Sequence, residues 1–160
     1  MPVIKLVTEI GAPVTRCFDL ARSIDFHVKT AASTKEEAIA GRTSGLINLN
    51  EVVTFRARHF GIVQQLTSKI TDYTYPQRFT DEMQKGAFKS LKHIHLFHEK
   101  GSLTIMEDIF TYEAPYGIIG YLFEKAVLHT YMHQFLVTRN TLLKKALENE
   151  DWKNYLINTV

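Results

Sequence analysis

His93 and His95 stand two residues apart in the run Leu91-Lys92-His93-Ile94-His95-Leu96-Phe97, so in an extended chain both imidazoles point to the same side. Two imidazoles on one face can run acid–base chemistry, ligate a metal or orient a polar ligand, and their carboxylate neighbours decide which. Asp81, between Phe79 and Met83 at alternate positions, and Asp108, sharing a face with Met106, Phe110 and Tyr112, are the carboxylates best placed to answer them. Among apolar and aromatic neighbours a carboxylate must be paired or have its pKa raised, because burial disfavours the ionised form. A His–Asp pair satisfies both partners structurally and is also the minimum equipment for acid–base work on an enolisable ligand. The structural role carries more weight. Two registers of the strand stay open: one turns His93 and His95 inward with Leu91 and Phe97, the other turns Ile94 and Leu96 inward. The first is preferred.

Metal ligation would need more donors. His129 and His133 lie four apart on one helical face, so four imidazoles from strand and helix could in principle meet. However, residue 130 is Thr, so the intervening Glu of a zinc protease motif is missing, and no cysteine or carboxylate cluster has ligand spacing along the chain. No metal site and no cofactor are expected. On the stretch 52–60, Val53, Phe55, Ala57 and His59 form a more apolar face than Val52, Thr54, Arg56, Arg58 and Phe60. His59 should therefore look inward and the arginines outward, solvated or paired with neighbouring strands. Arg139 with Asn140 reads as a packing and hydrogen-bonding device.

These residues need elements to hold them. Val3 to Ile10 alternates as a strand and lacks the charged and apolar regions of a signal peptide. Gly11-Ala12-Pro13 turns into a helix to about Arg22 with the apolar stripe Val14, Cys17, Phe18, Ala21, and Ser23 is placed to cap a short second helix. Thr30 to Glu37 reads as a polar loop. Strands follow at 38–43, 51–60, 63–75, 78–85, 90–99 and 103–112, separated by short Gly, Pro or Asn signals, which predicts a seven-stranded antiparallel meander. After Pro115 and Gly117 a helix of about thirty residues should run from Ile118. Its inner face would carry Ile119, Leu122, Phe123, Ala126, His129 or Thr130, His133, Leu136, Val137, Asn140, Leu143 and Leu147. Glu148 to Val160 reads as a polar tail or last turn around Trp152.

Length and charge bound the rest. At 160 residues the chain fits one domain over 1–160, large enough to bury on the order of 70% of its unfolded surface and still enclose a cavity. The 19 basic and 17 acidic residues give a formal charge of +2 and are scattered, which leaves no footprint for nucleic acid. No apolar run reaches the roughly 18 residues of a membrane span. Cys17 is the only cysteine and should be a plain buried thiol, so a soluble, cytoplasmic protein is expected.

Five stretches carry a resemblance: Ala57-Arg58-His59-Phe60-Gly61; Phe79-x-Asp81-x-Met83-x-x-Gly86-x-Phe88; His93-x-His95-x-Phe97; Asp108-x-Phe110-x-Tyr112-x-x-Pro115-x-Gly117-x-x-Gly120; and Phe135-x-x-x-Arg139-Asn140-x-x-Leu143-Lys144. Over about Val3 to Leu147 the chain resembles the SRPBCC, or START-like, superfamily, whose helix-grip fold is shared by birch-pollen allergens, polyketide cyclases and aromatases, and lipid-transfer domains. It looks most like the bacterial ligand-binding subgroup. One departure is Leu91, where the resemblance implies an aromatic residue.

The resemblance implies an α+β fold, a curved seven-stranded sheet around a long C-terminal helix with two short helices after the first strand. It also implies a cavity between sheet and helix that takes a small hydrophobic or amphipathic molecule. Phe55, Phe97, Met106, Phe110, Phe123 and Met132 would form apolar walls, with His59, His93, His95 and Asp108 orienting the ligand and Asp81 and Met83 on the adjacent strand completing the set. Two rival expectations are an enzyme of cyclase, aromatase or dehydratase type, with His93, His95 and Asp108 as catalytic candidates, and a protein-interaction module. A homodimer is a further option; membrane insertion and nucleic acid are not expected.

Overall fold

Strict alternation decides the sheet. From Leu103 to Glu113 every second residue, Thr104 through Tyr112, is buried, and the intervening ones are half-exposed, as a strand with one face on a core requires. The computed structural model describes residues 1–157 and, of Glu124, the backbone alone. It contains β1 (Val3–Ile10), α1 (Val14–Ala21), α2 (Ile24–Thr30), β2 (Glu37–Gly41), β3 (Val52–His59), β4 (Ile62–Thr74), β5 (Arg78–Lys85), β6 (Ser90–Lys100) and β7 (Leu103–Glu113). The seven strands form one sheet in the order β1-β7-β6-β5-β4-β3-β2, with antiparallel neighbours throughout. Ser23 caps α2 as expected, its hydroxyl accepting from Phe26 N at 3.2 Å. In the expected loop, Ala32–Thr34 forms one 3₁₀ turn.

The long C-terminal helix is present but not uniform. It comprises α3 (Gly117–Phe123), a π-helical turn (Glu124–Leu128) and α4 (His129–Glu148). The inner stripe expected across it holds only in the second half: Leu128, Leu136, Arg139, Asn140, Leu143, Ala146 and Leu147 are buried, whereas Ile119, Leu122, Phe123 and Ala126 are exposed. A shift of phase does not account for this, because Ile118 and Tyr121 are exposed as well; Gly120 is the one buried residue of α3. Gly120, the fourth residue of α3, sits against the Pro115 carbonyl; a Cβ there would lie 1.7 Å from that oxygen.

The expected tail also folds back. Lys153–Leu156 forms a short helix, α5, and Trp152, Tyr155 and Leu156 pack on the core, Trp152 beneath the Arg16 guanidinium at 3.9 Å. An apolar ring of that size is costly to leave in water. Residues 158–160 of that tail lie outside the described residues.

The interior is two apolar clusters. One gathers Phe18, Phe79, Phe97, Met106, Leu143 and Leu147 with the short helices; the other gathers Ile4, Leu91, Phe110, Tyr112, Leu128 and Leu136. Along β6 the order is Leu91, His93, His95, Phe97; along β7 it is Phe110, Asp108, Met106; along α4 it is Leu136, Arg139 and Asn140, Leu143. A polar belt thus separates the two clusters. Among the described residues no helix is long and apolar enough to cross a membrane.

Candidate functional site

The belt is built by register. In the ladders Asp81 pairs with His93, and His95 pairs with Asp108, so four side chains from three strands rise side by side from one face of the sheet. The hydrogen bonds run diagonally. His93 Nε2 lies 2.7 Å from Asp108 Oδ1 and His95 Nε2 lies 2.9 Å from Asp81 Oδ2, with the two imidazoles 3.8 Å apart at their centres. His93 and His95 are both buried together with Leu91 and Phe97, which settles the register left open by the sequence.

Asp108 is the hub. Besides His93 it accepts from Arg139 Nη1 at 3.2 Å and from Asn140 Nδ2 at 2.7 Å, while Arg139 Nη1 also donates to Asn140 Oδ1. Burial pushes this carboxyl up, but the hydrogen bond from His93, the close approach of His95 and the Arg139 charge outweigh it and hold it well below the usual carboxylate range. Asp81 behaves alike: burial raises it, and the His95 hydrogen bond with the pull of His93, His95 and Arg139 brings it down to about 2. Ser68 donates to its other oxygen at 3.3 Å. Burial and the neighbouring His95 lower His93 to about 4 against the pull of Asp108. An ionised carboxylate only accepts, so neutral His93 carries its proton on Nε2 and its lone pair on Nδ1. His95 Nδ1 lies 3.2 Å from Asp108 Oδ1 but off the direction a hydrogen bond needs, and has no hydrogen-bond partner.

Next to the belt, between sheet and α4, is a cavity of about 540 Å³. Asp81, His93, His95, Phe110 and Arg139 form one side of its lining; Phe55, His59, Tyr131, Met132 and Phe135 line it further along. His59 faces inward as expected, its Nδ1 2.6 Å from the Tyr131 hydroxyl; burial lowers the imidazole and raises the phenol. Arg56 and Arg58 point outward, Arg56 onto Glu37 at 2.6 Å. Phe123 lines the mouth, edge-on to Phe60 at 5.5 Å, where Phe60 and Gly61 form the two-residue turn of the β3–β4 hairpin with φ of 52° and 74°.

Other residues singled out in the sequence lie elsewhere. Phe97 and Met106 are packed in the first cluster rather than on the cavity wall, Met83 packs on the second, and Asp108 stands behind the two histidines. His129 approaches the Tyr112 hydroxyl at 3.4 Å and does not join His93 and His95. The sequence reading missed a second polar pair on the cavity, His27 Nε2 and Glu36 Oε1 at 2.5 Å, with Glu36 buried and His27 against the Phe55 ring at 4.6 Å. No periodicity marks it, since one partner lies in a helix of seven residues and the other just before β2.

No family model matches the chain, and no curated protein matches it. Solved structures do. The protein TTHA0849 from Thermus thermophilus superimposes with a TM-score of 0.74 at 17% identity, covering 91% of this chain and 97% of that one. A START superfamily protein from Mycobacterium smegmatis gives 0.65 at 10% identity, covering 89% and 97%. The Aha1 dimer from Colwellia psychrerythraea gives 0.63 at 12%, covering 92% and 97%. The chain thus shares the fold of these structures, an α+β helix grip.

Proposed function

We propose that the protein binds a small amphipathic molecule in the space between sheet and α4, its apolar body against Phe55, Phe110, Met132 and Phe135 and its polar end at the belt of Asp81, His93, His95 and Arg139. The observation that carries this reading is a cavity of about 540 Å³ bordered by a largely buried, hydrogen-bonded polar cluster. That volume lies within the 300–1,000 Å³ range of ligand pockets, which combine apolar walls with a few placed polar groups. The START-like fold of its structural neighbours supports the same reading. A cytoplasmic location fits the single buried thiol, Cys17. A homodimer would use the exposed apolar residues of α3, and sedimentation velocity reads it directly.

Native mass spectrometry of the protein purified from its own host should find a co-purifying small molecule. An environment-sensitive apolar dye should bind one per chain and be displaced by amphipathic aromatic or fatty compounds. Exclusion of every such probe by folded, ligand-free protein ends this reading.

A further inference from the structure

The belt holds more donors than the orientation of an organic ligand requires. One carboxylate oxygen of Asp81 and one nitrogen each of His93 and His95 come within 4.8 Å of one another, and all three residues line the cavity. Asp81 Oδ2 and His95 Nε2 are 2.9 Å apart, the separation of two adjacent ligands each about 2.0–2.1 Å from one ion and at right angles.

The surroundings are those of ligated imidazoles. Metal-binding histidines give their second nitrogen to a carboxylate, which fixes ring and tautomer. His93 does this: Nε2 is committed to Asp108, itself held by Arg139 and Asn140, leaving Nδ1 for a ligand. His95 is 2% exposed, its ring plane is set by Phe79 stacked at 4.1 Å, and its Nδ1 faces Asp108 Oδ1 at 3.2 Å, which leaves Nε2, beside Asp81, as the nitrogen for an ion. Charge agrees: in the belt two carboxylates, Asp81 and Asp108, face one guanidinium, Arg139.

We propose that Asp81, His93 and His95 form a binding site for a divalent transition-metal ion at the edge of the cavity, with its remaining coordination positions open to the cavity. Two imidazoles and one carboxylate suit zinc, ferrous iron, cobalt or nickel, whereas calcium and magnesium take mostly oxygen ligands. Three protein ligands with open positions is the arrangement of ions that hold or activate a bound molecule rather than of purely structural ones. Asp108 is a positioning residue for His93. The site stands independently of the small-molecule reading, because an ion can bind whether or not an organic ligand does.

Full-length protein stripped with chelator and titrated with Co²⁺, followed by its visible spectrum, should take up one ion per chain, displaced by one equivalent of Zn²⁺. X-ray absorption of the Zn²⁺ form should show two imidazoles in the coordination shell. Asp81→Asn and His93→Gln should each weaken binding by at least about 100-fold, Asp108→Asn by about 10–100-fold, and His129→Gln and His133→Gln not at all, with circular dichroism confirming folding. Wild-type protein that gives no stoichiometric cobalt spectrum overturns the site. So does a zinc shell with fewer than two imidazoles, or undiminished affinity in folded Asp81→Asn; the wild-type cobalt spectrum and zinc shell decide even if a variant fails to fold.

Discussion

At the scale of the residue, Asp108 shows what a buried charge demands. It is 1% exposed and accepts from His93, Arg139 and Asn140, so Asp108→Asn leaves the buried Arg139 guanidinium without its counter-charge. Breaking a buried pair from one side costs about 3–5 kcal/mol; urea unfolding of metal-free protein should show that loss, and a change under 1 kcal/mol would mean Arg139 finds another partner. Cys17 gives the pH-dependent case. Burial pushes its thiol from 9.0 up to about 11, so between those values the unfolded chain ionises while the folded one does not. Its contribution to stability is therefore complete below pH 9 and declines as pH rises through about 11. The stability difference between wild type and Cys17→Ala should shrink over that window by about 2–3 kcal/mol. A pH-independent difference would place Cys17 in contact with water. At neutral pH the native thiol should resist alkylation.

At the scale of the element, the two halves of the C-terminal helix answer different demands. In α4 the buried face continues the two clusters and carries Arg139 and Asn140 to Asp108. In α3 the apolar residues stay in water beside the cavity mouth. Gly120→Ala should therefore cost about 1–3 kcal/mol, by forcing the start of α3 away from the Pro115 carbonyl, with helix content by circular dichroism falling slightly. Unchanged stability would show that α3 shifts freely. The clusters also differ from the cavity wall. Phe18, unexposed and edge-on to Tyr73, Tyr75, Phe79 and Phe97 at 5.1–5.3 Å, should lose about 3–5 kcal/mol as Phe18→Ala. Phe110→Ala should lose less, because that ring already faces open space on one side. Equal losses would mean the space beside Phe110 is closed in solution.

At the scale of the whole molecule, one sheet spans both clusters and one polar belt joins them, since β5, β6, β7 and α4 each contribute to it. Unfolding should therefore be a single transition. Fluorescence of Trp152, which reports the first cluster, and far-UV circular dichroism, which reports the whole chain, should give coincident urea curves. Separated midpoints would show the clusters melting independently. A ligand in the cavity binds the folded state alone, so at a hundredfold excess over Kd it should add about 2.7 kcal/mol and raise Tm accordingly.

Local pattern was enough for the seven strands, the Ser23 cap and the inward face of β3, because period and turn residues act within a few positions of the chain; the helix grip was implied by the family resemblance. Asp81 and Asp108 were legible as partners of the histidines from their apolar neighbours. Tertiary structure alone decided which face of β6 turned inward, since Leu91, His93, His95 and Phe97 compete with a nearly equal alternate set on their own strand and only packing against α4 breaks the tie. It likewise decided the diagonal His–Asp pairing, the joining of His27 to Glu36 and the turning of the α3 stripe into water. A donor set read by spacing sees one element at a time; Asp81 meets His93 and His95 only because strand pairing sets β5 beside β6, and Ile119 and Leu122 are exposed because α3 as a whole buries Gly120 alone, which a period within one helix does not reveal.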